Sequence, residues 1–167
     1  MIERSAAHIA INPKTTTMAI EIRKLEKQDL DTFIALIRVF EDVFEMKNFT
    51  MPDEKYLQAL LAKDSFFIFV ALSDGEVVGG LTAYTLEQYY STKPLVYIYD
   101  LAVTTQLQRQ GIGRKLMASI NEYCKNTGVE EVFVQADEVD DYALEFYQAT
   151  GGIAEKVVHF NYPLNTK

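Results

Sequence analysis

The chain is poor in the residues that build cross-links and metal sites. Cys124 is the single cysteine among 167 residues, so no disulfide can close within the chain and no cysteine-cluster metal site can form. It lies between Tyr123 and Lys125 in a segment of helical pattern, where a buried structural thiol is expected rather than a nucleophile. Long apolar runs are missing too: no stretch approaches the roughly 20 residues of a membrane-spanning helix. Residues 1–17 hold nothing like the apolar core of a signal peptide, which points to a cytoplasmic protein. They read as a loose tail, with residues 1–18 ahead of a single domain over 19–167. Positive charge is scarce, since 16 Lys and Arg face 24 Asp and Glu for a net charge of −8. That balance counts against nucleic acid, whose partners carry a basic face, and favours a cationic partner. There is no internal repeat, no low-complexity tract, no linker rich in Pro, Gly or Ser, and no metal-ligand motif.

What is present is ordinary for a globular domain, with 49% apolar and 24% charged residues in a length suited to one core. Residues 19–25 alternate as a short strand. From Asp29 to about Phe44 the apolar residues Leu30, Phe33, Ile34, Ile37, Phe40 and Phe44 recur at helical spacing. A second helix fits Asp53 to Lys63, with Pro52 ahead of it. Phe66 to Leu72 and Val77 to Leu86 read as a hairpin around Ser73-Asp74-Gly75-Glu76. Leu95 to Val103 is the most continuous apolar strand, expected in the interior of the sheet. Helices follow over Gly111 to Asn126 and Asp140 to Thr150, closed by Gly128 and Gly151, with a strand at Glu131 to Ala136 between them. Ile153 to Tyr162 is expected to complete a mixed sheet wrapped by helices, of the α/β (α+β) class.

The most informative segment is Gln108-Arg109-Gln110-Gly111-Ile112-Gly113, between the apolar strand and a helix. Glycine lets backbone approach a ligand closely. The first amides of a helix lack internal partners and lie at the positive end of its dipole, which together suit a pyrophosphate. Arg109, Arg114 and Lys115 add positive charge against an acidic average. A plain strand-to-helix turn is the simpler reading of the same residues. A Rossmann fingerprint or P-loop would need different glycine spacing or Gly-Lys-Ser/Thr, and neither occurs.

The pattern of Gln108, Gly111 and Gly113 after a fourth strand resembles the acetyl-CoA loop of the GNAT acyltransferases, and the element order from Ile20 to Tyr162 resembles that fold. Within that superfamily, residues 97–103 are similar to the gentamicin-type aminoglycoside 3-N-acetyltransferases. So are Gln135-Ala136-Asp137 with Asp140-Asp141, Leu144 and Tyr147, and Val158-His159-Phe160. The chain departs from that branch at Glu138, Val139 and Tyr142. The resemblance implies an acetyl-CoA cofactor held by Leu101, Ala102, Val103 and the run Gln108, Arg109, Gln110, Gly111, Ile112, Gly113 and Arg114. Backbone of Leu101 and Val103 would meet the pantetheine arm. It further implies Tyr147 as proton donor to the leaving thiolate and a homodimer formed through the last strands.

Strict alternation along residues 97–103 puts Tyr97, Tyr99, Leu101 and Val103 on one face, and Ile98, Asp100 and Ala102 on the other. Asp100 is then a carboxylate in an apolar setting, which needs a partner or a shifted pKa. It either pairs with a neighbouring cation or amide, or faces the acyl-transfer site as a base. Asp137, Glu138, Asp140, Asp141 and Glu145 gather at a strand end and a helix start. Acids suit a first helical turn, but Asp137 and Glu138 precede it, and a polycation such as an aminoglycoside would relieve their repulsion. Tyr84, Glu87, Tyr89 and Tyr90 are candidates for another wall of the substrate cleft, or for ordinary packing. His159 is read as a structural or cleft-wall residue rather than a base. A peptide, lysine or polyamine acceptor, and a non-catalytic acetyl-CoA-binding domain, are the competing functions.

Overall fold

The computed structural model describes residues 19–164, so the expected loose tail over 1–18 lies outside the described residues. The elements run β1 (Ile20–Lys24), α1 (Leu30–Val43), α2 (Glu54–Leu61), β2 (Phe66–Ser73), β3 (Glu76–Leu86) and β4 (Leu95–Val103). After a 3₁₀ turn at Thr105–Leu107 come α3 (Ile112–Asn126), β5 (Glu131–Val134) and α4 (Asp141–Ala149). The strands lie in the order β1-β2-β3-β4-β5. All pairs are antiparallel except β4 with β5. Asp74 and Gly75 both take positive φ, 51° and 86°, the two-residue turn that matches strand twist in a tight hairpin. The parallel β4–β5 pair needs a crossover, and α3 supplies it.

Alternation along β2 feeds two cores. Phe67, Phe69 and Ala71 pack with Ile98, Leu116 and Ile120 beneath α3. Phe66, Ile68 and Val70 pack with Phe33, Leu36 and Leu57 beneath α1 and α2. The α1 layer sits close because β3 carries Gly80, where a Cβ would lie 2.6 Å from the Phe69 carbonyl oxygen and 2.7 Å from Leu36 Cδ1.

The expected final strand does not form. The sheet ends at β5, and residues 153–164 carry no regular element. Ile153, Val158, Phe160 and Tyr162 are 92%, 76%, 72% and 80% exposed. An apolar alternation expresses strand propensity, but a strand exists only where a neighbour supplies its ladder, and no strand of the described chain pairs with this one.

Candidate active site

The site is made by β4, which changes both its neighbours and its facing in mid-strand. Its pairing with β5 stops at Ile98–Val134, while β4 continues to Val103. Two parallel strands therefore part at their C-terminal ends, the usual place for a ligand crevice. The Thr104 amide turns to β3, donating to the Val78 carbonyl at 2.8 Å. Since peptide groups alternate along a strand, those of Val103 and Leu101 turn the other way, into the gap left by β5. The Val103 carbonyl there accepts from Gln108 Nε2 at 3.1 Å, which leaves its amide and both polar groups of Leu101.

A bulge alters the facing. Thr82 opposes Asp100 and Ala83 opposes Ile98, so Tyr99 has no counterpart on β3. An extra residue reverses the alternation beyond it. Val96 and Ile98 on one side of the bulge, and Leu101 and Val103 on the other, all join the α3-side core, whereas Ala102 and Tyr84 join the opposite one. This corrects the strict alternation expected from sequence. Tyr97 and Tyr99 share the face of Asp100, and Ile98 does not.

Asp100 is half-buried. Burial pushes its carboxyl above the ordinary 3.8, and a hydrogen bond from the Thr82 hydroxyl offsets part of that. Ion pairs among the described residues join Arg23 to Asp29, Lys24 to Glu26, Lys27 to Asp64 and Arg38 to Glu41; Asp100 takes part in none. The structural alternative of a neutralising cation is therefore not what the fold supplies. Tyr147 on α4 is close enough to feel Asp100, Asp140 and Tyr97, and its phenol is pushed up to about 12, chiefly by burial. The β5–α4 loop is drawn to the same place, because Tyr97 Oη donates to Gln135 Oε1 at 3.2 Å. Asp137, Glu138, Asp140 and Asp141 line that loop and are exposed. Asp140 also caps α4, accepting from the Ala143 amide at 3.0 Å.

Behind the gap lies the glycine loop. Gly111 is the N-cap of α3 with φ 82° and no side chain to satisfy the first amides, and a Cβ there would meet nothing within 4 Å. At Gly113 the missing Cβ also makes room for Phe146, whose Cε2 would be 3.0 Å away. Arg109 places its guanidinium 5.5 Å from the Tyr142 ring centre, so the loop and α4 touch.

Four expected cleft residues are not brought in. Glu87 follows Leu86, which pairs with Leu95, so it lies beyond the far end of β4, roughly 16 Å along the strand from Asp100 at about 3.3 Å per residue. Its loop is instead tied to the start of β5 through Gln88 and Ser91, at 3.1 and 2.9 Å from Glu130 Oε2. Tyr89 and Tyr90 lie in that same loop. His159 lies on the exposed segment after α4. Tyr97, Tyr99, Phe133 and Gln135 were not among the expected site residues, and the bulge that recruits the tyrosines leaves no mark in local composition.

A parted pair of parallel strands, with a glycine-capped helix behind the gap and a half-buried acid at its edge, defines an acyl-CoA-dependent N-acyltransferase architecture. Residues 31–151 match the Acetyltransferase (GNAT) family, and the chain belongs to that family. An aminoglycoside acetyltransferase, meta-AAC0020, from an uncultured soil metagenomic sample and crystallised with sisomicin, is 58% identical, with 87% of this chain and 97% of that one covered and a TM-score of 0.86. An uncharacterized N-acetyltransferase of Archaeoglobus fulgidus is 32% identical over 69% of this chain and 82% of its own. The aminoglycoside N(6')-acetyltransferase type 1 of Stenotrophomonas maltophilia is 26% identical over 68% and 76%.

The family uses acetyl-CoA, and the residues present suit it. The unpaired edge at Leu101 and Val103 offers amide-sized partners to the pantetheine arm, and the uncapped amides of α3 offer donors to the pyrophosphate. When bound, the cofactor supplies an activated acetyl thioester.

Proposed function

We propose that this acetyltransferase acts on an amine of aminoglycosides, with the 3-amine as acceptor. The observation that carries the reading is Asp100, a half-buried carboxylate whose charge reaches Tyr147, with an acidic loop at the rim. An aminoglycoside is a polycation, and only a neutral amine is nucleophilic, so the site must both attract ammonium groups and deprotonate one. Asp137, Glu138, Asp140 and Asp141 attract. Asp100 accepts the hydrogen bonds of the reacting ammonium and takes its proton, directly or through water. The Val103 amide, free on the open edge, faces developing negative charge on the acyl oxygen. Tyr147 stays protonated at neutral pH and donates to the departing sulfur. Leu101, Ala102, Val103 and the run Gln108 to Arg114 hold the acetyl donor. Tyr84 closes the wall on the β3 side.

The similarity to the 58% identical aminoglycoside acetyltransferase supports the acceptor class, and motifs at residues 97–103 and 135–147 support the 3-position. Similarity to the Stenotrophomonas enzyme favours the 6'-amine as the second reading. We assign the exposed segment 153–164, His159 included, to a homodimer contact along the unpaired edge of β5; light scattering at micromolar concentration reads that state directly.

The functional test mixes purified protein with acetyl-CoA and gentamicin and follows free thiol with a colorimetric reagent. Gentamicin-dependent release, with the new acetyl mapped by NMR to the 3-amine, is the expected result. An acetyl on the 6'-amine would transfer the assignment to the second reading. Turnover of spermidine or peptides with none of any aminoglycoside would overturn the acceptor class.

A further inference from the structure

Four aromatic rings run in a row across β3, β4 and β5. Tyr84 meets Tyr99 at 5.8 Å between ring centres, Tyr99 meets Tyr97 at 5.9 Å, and Tyr97 stacks on Phe133 at 5.0 Å. Phe66 backs the row at 4.9 Å from Tyr84, which fixes its buried end. The middle of the row is open: Tyr99 is 60% exposed at the point of β4 where the β5 pairing has ended and the β3 pairing skips it. Interior strands of a helix-covered sheet seldom leave a large ring uncovered.

The bulge explains how this ring comes to lie beside the acid. In a regular pleat consecutive side chains take opposite faces, so Tyr99 and Asp100 would be separated by the sheet. With Tyr99 as the extra residue, both project to one face. A π-face and a carboxylate are thereby offered side by side.

We infer that Tyr99 is the stacking platform for the acceptor, selecting amines carried on a saccharide ring over amines on flexible chains. An amino-sugar has an apolar C–H face that lies flat on an aromatic ring, and ammonium groups at its rim. The tyrosine row matches the first, and Asp100 with the acids of the β5–α4 loop matches the second. A linear polyamine or a lysine side chain has cationic groups but no ring face, and gains only the electrostatic part. This inference rests on the aminoglycoside reading above and names the residue that gives it ring selectivity.

The test is a set of three variants, Tyr99→Leu, Tyr99→Ala and Tyr99→Phe, assayed for kcat and KM with an aminoglycoside that the wild type acetylates. Tyr99 is exposed, so the variants should fold, and thermal unfolding checks this. Loss of the ring in the Leu and Ala variants should raise KM for the aminoglycoside roughly tenfold, with kcat held within about twofold. Tyr99→Phe, which keeps the π-face, should return KM to within about twofold of wild type. An unchanged KM in the Leu variant overturns the platform. So does a fall in kcat at constant KM, which would place Tyr99 in the chemistry instead. Failure of Phe to rescue overturns it as well, since the hydroxyl would then be the recognised group. A wild type that acetylates no aminoglycoside defeats the parent reading before any variant is compared.

Discussion

Burial raises the pKa of Asp100 above its ordinary value of 3.8, and no cation among the ion pairs of the described residues compensates. The consequence for stability follows from linkage. A carboxyl with a raised folded-state pKa contributes stability in full below 3.8, and that contribution is lost as pH rises through the folded value. At neutral pH the ionised group therefore works against the fold. Asp100→Asn keeps a partner for the Thr82 hydroxyl without the charge, so it should melt higher than wild type at pH 7, with the gain shrinking as pH falls toward 3.8; a lower melting temperature at pH 7 would show that the carboxylate is structurally satisfied. Tyr147 is the proposed proton donor on the other side of the chemistry. With its phenol pushed up to about 12, it stays protonated across the working range of pH. Tyr147→Phe should lower kcat about 10²-fold with the fold unchanged in circular dichroism, and normal turnover would return Tyr147 to a packing role. Asp100 and Tyr147 could both be singled out from the sequence as candidates, because a lone acid in an apolar strand and a tyrosine in register with a family motif are local features. Tyr97 and Tyr99 were not, since their facing depends on a bulge fixed by the pairing of two strands.

Elements were legible wherever periodicity and punctuation agreed. Asp74-Gly75 marked the hairpin, Gly128 and Gly151 marked helix ends and take φ of 77° and 96°, and the span of β4 is the one its apolar pattern predicts. What escaped reading depended on partners. The final strand has a strand-like pattern and no neighbour among the described residues. Glu87 stands close to β3 in sequence, but the antiparallel pairing of β3 with β4 carries it away from Asp100. Gly80 also escaped, because its role is not a turn but clearance for Leu36 and the neighbouring strand. Gly80→Ala would force a Cβ to 2.6 Å from a backbone oxygen, and overpacking of this kind costs about 2 kcal/mol or more. Urea unfolding should show that loss, and a change within about 0.5 kcal/mol would mean that β2 and α1 can move apart freely.

The whole molecule carries a net charge of −8, and part of that charge is gathered on the β5–α4 loop beside the site. Long-range attraction of a polycationic acceptor should then contribute to its capture. Raising NaCl from about 0.05 to about 0.5 M shortens the Debye length from roughly 14 to about 4 Å and should raise KM for the aminoglycoside about fivefold. An acceptor KM insensitive to salt would confine recognition to short-range contacts. Among the described residues no helix is long and apolar enough to cross a membrane. The proposed function divides the labour by edge and face: in it the open edge of β4 and the cap of α3 serve the acetyl donor, and the tyrosine face with its acidic rim serves the amine. Asp100 stands where the two meet.

The most direct test of that arrangement compares wild type with Asp100→Asn at pH 7, saturating both substrates and counting acetylated aminoglycoside by mass spectrometry. One acetyl per acceptor is expected from the wild type, and a rate lower by about 10²- to 10³-fold in the variant while acetyl-CoA binding measured by calorimetry is retained. Equal rates in the two proteins would remove Asp100 from the mechanism and contradict the account at its centre.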